Sequence, residues 1–80
     1  MAVMESVRDI EQLALARRLA ASGEAREIRL AAGISQAELA RACGVSAPAV
    51  ARWEAGERRP RGAAALRFAG ILTALGKEQS

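Results

Sequence analysis

Residues Ile34 to Pro60 read ISQAELARACGVSAPAVARWEAGERRP. Two short helices with a break between them account for most of this stretch. Ser35 opens the first. Its hydroxyl can accept from an amide three residues on, and Glu38 can reach back to the cap's own amide. The run continues through Leu39, Ala40 and Cys43. Gly44 stops it, because glycine adopts left-handed angles at little cost. Val45 and Ser46 form the corner. Ser46 caps a helix from Ala47 to about Ala55, with Pro48 tolerated in a first turn whose amides have no helical acceptor. Gly56 ends that helix, and Glu57 to Gly62 follows as a loop carrying Arg58, Arg59 and Arg61.

Upstream, apolar residues recur at helical spacing: Met4, Val7, Ile10 and Ala14, with Leu15 and Leu19 half a turn round. They predict a helix from about Glu5 to Ala21. Ser22 and Gly23 interrupt it, and Ser22 is placed to cap a second helix running to about Ala32. The inner face of that helix sets Arg29 among Ala25, Ile28 and Ala32, and Gly33 closes it. Downstream, Ala63 to Leu75 is apolar nearly all round, as a central helix is. The expected fold class is all-α with five helices. Residues 1–21 are expected as a helical extension, 22–76 as the domain, and 77–80 as a frayed tail.

Eighty residues make one small domain. The apolar fraction of 51% supports a core, and alanine supplies much of it. Trp53 and Phe68 are the only aromatics, a profile that suits closely packed helices better than a sheet. The net charge is +3, and every cation except Lys77 is an arginine. That balance suits a polyanionic partner, although a GC-rich genome gives the same bias. With Cys43 the only cysteine and no histidine, a disulfide within the chain and a Cys/His metal site are both excluded. No cofactor and no small-molecule ligand is implied. The start lacks a signal-peptide pattern and no run is long enough to span a membrane, so the expected location is cytoplasmic.

Two short helices around a tight glycine turn are a helix-turn-helix signature, although many helical hairpins share the spacing. Ala40 is small where the two helices must cross. The first helix of such a unit crosses the DNA backbone and the second enters the major groove. The residues go further than the spacing. Gly33, Ser35-Gln36, Leu39-Ala40, Gly44-Val45-Ser46, Val50, Trp53-Glu54, Gly56 and Pro60 resemble the Xre family of lambdoid phage repressors and Cro proteins. The resemblance covers about residues 22–76. It implies a five-helix domain that binds operator DNA, usually as a homodimer.

The resemblance also implies residue roles. Gln36, at the start of the first helix of the unit, corresponds to a phosphate contact, and free amides at a helix start favour an anion. The other reading is that Ser35 and Gln36 only cap. Ser46, Ala47, Pro48 and Ala51 form the front of the reading helix, where the family often carries longer polar side chains. Ala47, Pro48 and Ala51 can touch thymine methyls but cannot hydrogen-bond a base through their side chains. That loads readout onto Ser46 and Arg52. Arg52 projects from the same side as Pro48 and suits either a guanine edge or a phosphate. Arg58, Arg59 and Arg61 are placed beside the backbone, or form a solvated charge run. Arg29 and Glu54 match a buried ion pair that fixes the angle of the reading helix. Trp53 and Cys43 read as packing.

Three functions compete. The first is a sequence-specific regulator, either a phage or mobile-element repressor, Cro-like, or a small bacterial regulator. The second is an antitoxin, which usually needs a toxin-binding tail longer than residues 77–80. The third is a helix-turn-helix adaptor kept for protein contacts. An enzyme is not expected. For the homodimer, the stripe of Val7, Ile10 and Ala14, with Met4 and Leu15 beside it, is the favoured interface, with the last helix through Ile71, Leu72 and Leu75 as its rival; the other expectation is that the stripe packs on its own domain.

Overall fold

Residues 6–78, which the computed structural model describes, form five helices and no strand. They are α1 (Val7–Ser22), α2 (Glu24–Ala31), α3 (Gln36–Cys43), α4 (Ala47–Glu54) and α5 (Gly62–Glu78). Met4 and Glu5, assigned to the first helix from sequence, and residues 79–80 lie outside the described residues.

Serines start three of the helices. The hydroxyls of Ser6, Ser35 and Ser46 accept from the amides of Asp9 (3.0 Å), Glu38 (3.0 Å) and Ala49 (3.3 Å). At Ser35 the box is closed, because its own amide donates to Glu38 Oε1 at 2.9 Å. That bond, with the serine hydroxyl, holds the Glu38 carboxyl below its ordinary pKa. α2 departs from the expectation. Ser22 ends α1, and Gly23 at φ 88° is the cap residue with no side chain to offer. The Ser22 hydroxyl still accepts from the Glu24 amide at 3.2 Å, so the first turn is served from one position further back.

α2, α3 and α4 finish alike. An amide just past each helix donates to a carbonyl five residues back: Ile34 to Arg29 (3.1 Å), Val45 to Ala40 (3.0 Å) and Glu57 to Arg52 (2.9 Å). This closure requires a residue with positive φ, and between α3 and α4 it is Gly44 at 77°. The α3–α4 corner is therefore set by local chemistry before any tertiary contact is made.

α1 and α5 pack on each other, α2 leans on both, and α3 pairs with α4 while also resting on α5. α5 is the central helix, burying Ala65, Phe68, Ala69 and Leu72. Phe68 meets Trp53 of α4 edge to face, with ring centroids 4.9 Å apart at 73°. Leu39, Ala40, Cys43 and Val50 join them. Burial raises the pKa of the Cys43 thiol.

The two ends of the chain differ from the expected bounds. α1 puts Ala16, Leu19 and Ala20 into this same core, so it is the first of the five helices and packs with residues 22–76. Its Val7–Ile10–Ala14 stripe, named above as a candidate interface, faces outward. Ala16 and Ala20 let α1 approach its neighbours closely, with Leu19 buried beside them and Leu13 and Leu15 packed against the core. At the other end, Lys77 and Glu78 belong to α5, which also starts at Gly62. If α1 is core, Leu19→Ala should cost about 2–5 kcal/mol in urea unfolding. A midpoint equal to that of the unsubstituted chain would show that α1 is only laid on the surface.

Candidate nucleic-acid interface

The Arg29 side chain leaves α2 on its inner side and is only 7% exposed, against 3% for Glu54 on α4. Two parallel bonds join them: Arg29 Nε to Glu54 Oε2 at 2.7 Å, and Nη2 to Oε1 at 2.9 Å. Arg29 Nη1 donates to the Ile34 carbonyl at 2.9 Å. Gln36 Nε2 donates to Glu54 Oε1 at 3.0 Å. The buried side chains of the cluster are thus fully paired, and no buried side-chain polar atom among the described residues lacks a partner. Burial tends to raise the Glu54 carboxyl pKa. The bonds from Arg29 and Gln36, with the charges of Arg29 and Arg26, outweigh it and leave the pKa below the ordinary value. The bond to Glu54 raises the Arg29 pKa in turn.

Gln36 is thereby engaged inside the protein through its amide nitrogen, a role the sequence reading did not contain. Ser35, beside it, is occupied by the capping box. The amides of Gln36 and Ala37 lie in the first turn of α3 and have no acceptor among the described residues, as for the open end of any helix.

α4 shows its outer side through Pro48 and Arg52, which are exposed one turn apart. Val50 and Trp53 are buried on the opposite side. Ala51 is half-buried at the flank. Ala47 is half-buried and packs against the core, so of the four front residues it offers least to a partner. Ser46 is exposed, with its hydroxyl oxygen accepting from Ala49.

Arg52 of α4 and the loop arginines Arg58, Arg59 and Arg61 come together around one open cleft of about 300 Å³. Val45, Ala49, Trp53 and Ala64 form its apolar lining. None of the four guanidinium groups has an ion pair or hydrogen bond among the described residues. Like charges so gathered repel one another and favour an anion.

Two arginines that sequence reasoning passed over hold this surface in place. Arg67 of α5 donates from Nε to the Cys43 carbonyl at 2.9 Å, pinning the turn ahead of α4. Arg17 of α1 donates to the Pro60 carbonyl at 3.1 Å, pinning the loop behind it. Arg67 had a signal, since it is the one charge in an otherwise apolar run. Arg17, beside Arg18, had none.

The helix-turn-helix family model matches residues 26–73, more than half of the chain. The chain belongs to the Xre/lambda repressor-like helix-turn-helix family. Neither the curated proteins nor the solved structures gave a match. The match makes the chain a DNA-binding helix-turn-helix regulator, of a family that is generally non-enzymatic. Among the described residues, no helix is long and apolar enough to cross a membrane.

The pair gives this regulator a pH dependence of definite sign. Because the folded Glu54 pKa is lowered, its stabilisation is present above the unfolded value of about 4.3 and is lost as pH falls through the folded value. Glu54→Gln strands the Arg29 charge and should cost about 3–5 kcal/mol at neutral pH. The gap in melting temperature between the two proteins should narrow under acid. A gap that stays constant with pH would show that the carboxylate charge is not what matters.

Proposed function

We propose that this regulator recognises a specific operator sequence and acts as a small transcriptional repressor, Cro-like or bacterial, working as a homodimer in the cytoplasm or nucleoid. The observation that carries the reading is the group of four unpaired arginines beside the exposed Pro48–Arg52 side of α4. In this reading Ser46, Pro48, Ala51 and Arg52 face the major groove, with Ala47 at its margin. Arg58, Arg59 and Arg61 lie along one strand's phosphates. A further phosphate sits at the start of α3, on the amides of Gln36 and Ala37 near Ser35. Gln36 orients Glu54 and reaches the phosphate only through its backbone. A second reading, a protein–protein adaptor, is favoured by the scarcity of hydrogen-bonding side chains on α4.

Gel shift against DNA from upstream of the gene separates the two. A retarded band should appear, and log affinity should fall linearly with log salt at a slope of about −0.9 per neutralised phosphate. An absent band, or affinity indifferent to salt, selects the adaptor.

Arg52→Ala tests the assignment on α4. It should weaken the preferred site by about 1–3 kcal/mol and relax preference at one base pair. Equal weakening on every DNA sequence makes Arg52 a phosphate ligand like its three neighbours.

A further inference from the structure

Val7 is 76% exposed and Ile10 is 52% exposed, although both are large and apolar. On the wheel of α1 they share the outward side with Glu11, Ala14, Arg18 and Ala21, all exposed. The rival surface on α5 is largely spent within the chain: Leu72 is buried, Ile71 packs on the core and Leu75 is half-buried.

We propose that this side of α1 pairs with the same side of a second copy, antiparallel, about a two-fold axis passing beside Ala14. The argument is the order of charges. Glu11 and Arg18 are seven residues apart, about two turns, and lie on one flank of the outward strip. A two-fold axis crossing midway brings Glu11 level with the second copy's Arg18 and, by symmetry, Arg18 level with the second copy's Glu11. The same operation keeps each flank facing its own copy, so the charged flanks meet and the apolar flanks meet. Val7 and Ile10 then fall near the second copy's Ala21, and Ala14 near its own image, where a methyl group allows close approach. A parallel pairing would instead lay each charged flank against the second copy's apolar flank and leave Glu11 and Arg18 without opposite charges. Arg18 has only a long contact to Glu24 within its own chain, at 3.9 Å with both side chains well exposed. One helix face is a small interface, so association is concentration-dependent.

This assignment deepens the homodimer reading and rests on it. The test is sedimentation equilibrium of the full chain without DNA, with thermal melting to confirm folding. The unsubstituted chain should show a monomer–dimer equilibrium. Glu11→Arg and Arg18→Glu each set like charges opposite one another, twice, and should weaken association by roughly tenfold or more. The double substitution E11R/R18E restores opposite charges and should recover most of the loss. Either single variant suffices if the other does not fold. A chain monomeric at all concentrations, or a dimer indifferent to the single reversals, overturns the proposal. So does a double variant as weak as the singles. Binding of the single variants to one half-site is measured in parallel. Its absence, with self-association behaving as stated, would count against the operator reading and leave the interface standing.

Discussion

The contact on which the reading head depends is the two-pronged bond between Arg29 and Glu54. It reaches four places at once: α2 through Arg29, the following turn through the Ile34 carbonyl, the start of α3 through Gln36, and the end of α4 through Glu54. A buried ion pair adds little net stability compared with an apolar replacement. Its effect is on geometry. Planar guanidinium against planar carboxylate admits few relative orientations, so α4 has one tilt against α2 rather than a range.

Arginine appears here in two populations that composition cannot separate. Arg17 and Arg29 donate to the loop carbonyls of Pro60 and Ile34, and Arg67 to the carbonyl of Cys43, the last residue of α3. A carbonyl at a helix C-terminus lacks a helical partner, and the charge of Arg67 there also opposes the negative end of the dipole. Arg52, Arg58, Arg59 and Arg61 instead line the cleft without a partner among the described residues. The basic balance of the chain is thus partly a fold requirement and partly a surface property. Only the second part bears on a polyanion.

Much of this was legible because it is local. Ser35 with Glu38, Gly44, Ser46 and Gly56 carry their structural meaning within four or five residues, and the helices they bound are where they were expected. The Arg29–Glu54 contact was legible only through family resemblance, although an arginine on an apolar face hinted at it. The core face of α1 was legible only in part. Leu19 lay on the apolar pattern, whereas Ala16 and Ala20, small enough for close helix approach, were not singled out. Gln36 illustrates the same limit, since its amide was spoken for by a carboxylate eighteen residues away that only the fold brings near.

The outward side of α4 has a consequence for how any site is told from the rest of a genome. Arg52 is the only long hydrogen-bonding side chain there. One bidentate base contact discriminates by about 1–3 kcal/mol, whereas a genome presents some 10⁶ or more competing positions. Contacts to base edges from one helix of this kind fall short by several orders of magnitude. In the operator reading, a second copy's helix and the mechanics of the double helix supply the remainder. An alanine-and-proline surface fits closely only where groove width and local bending already match it, and sequences that resist that shape are rejected by their own stiffness.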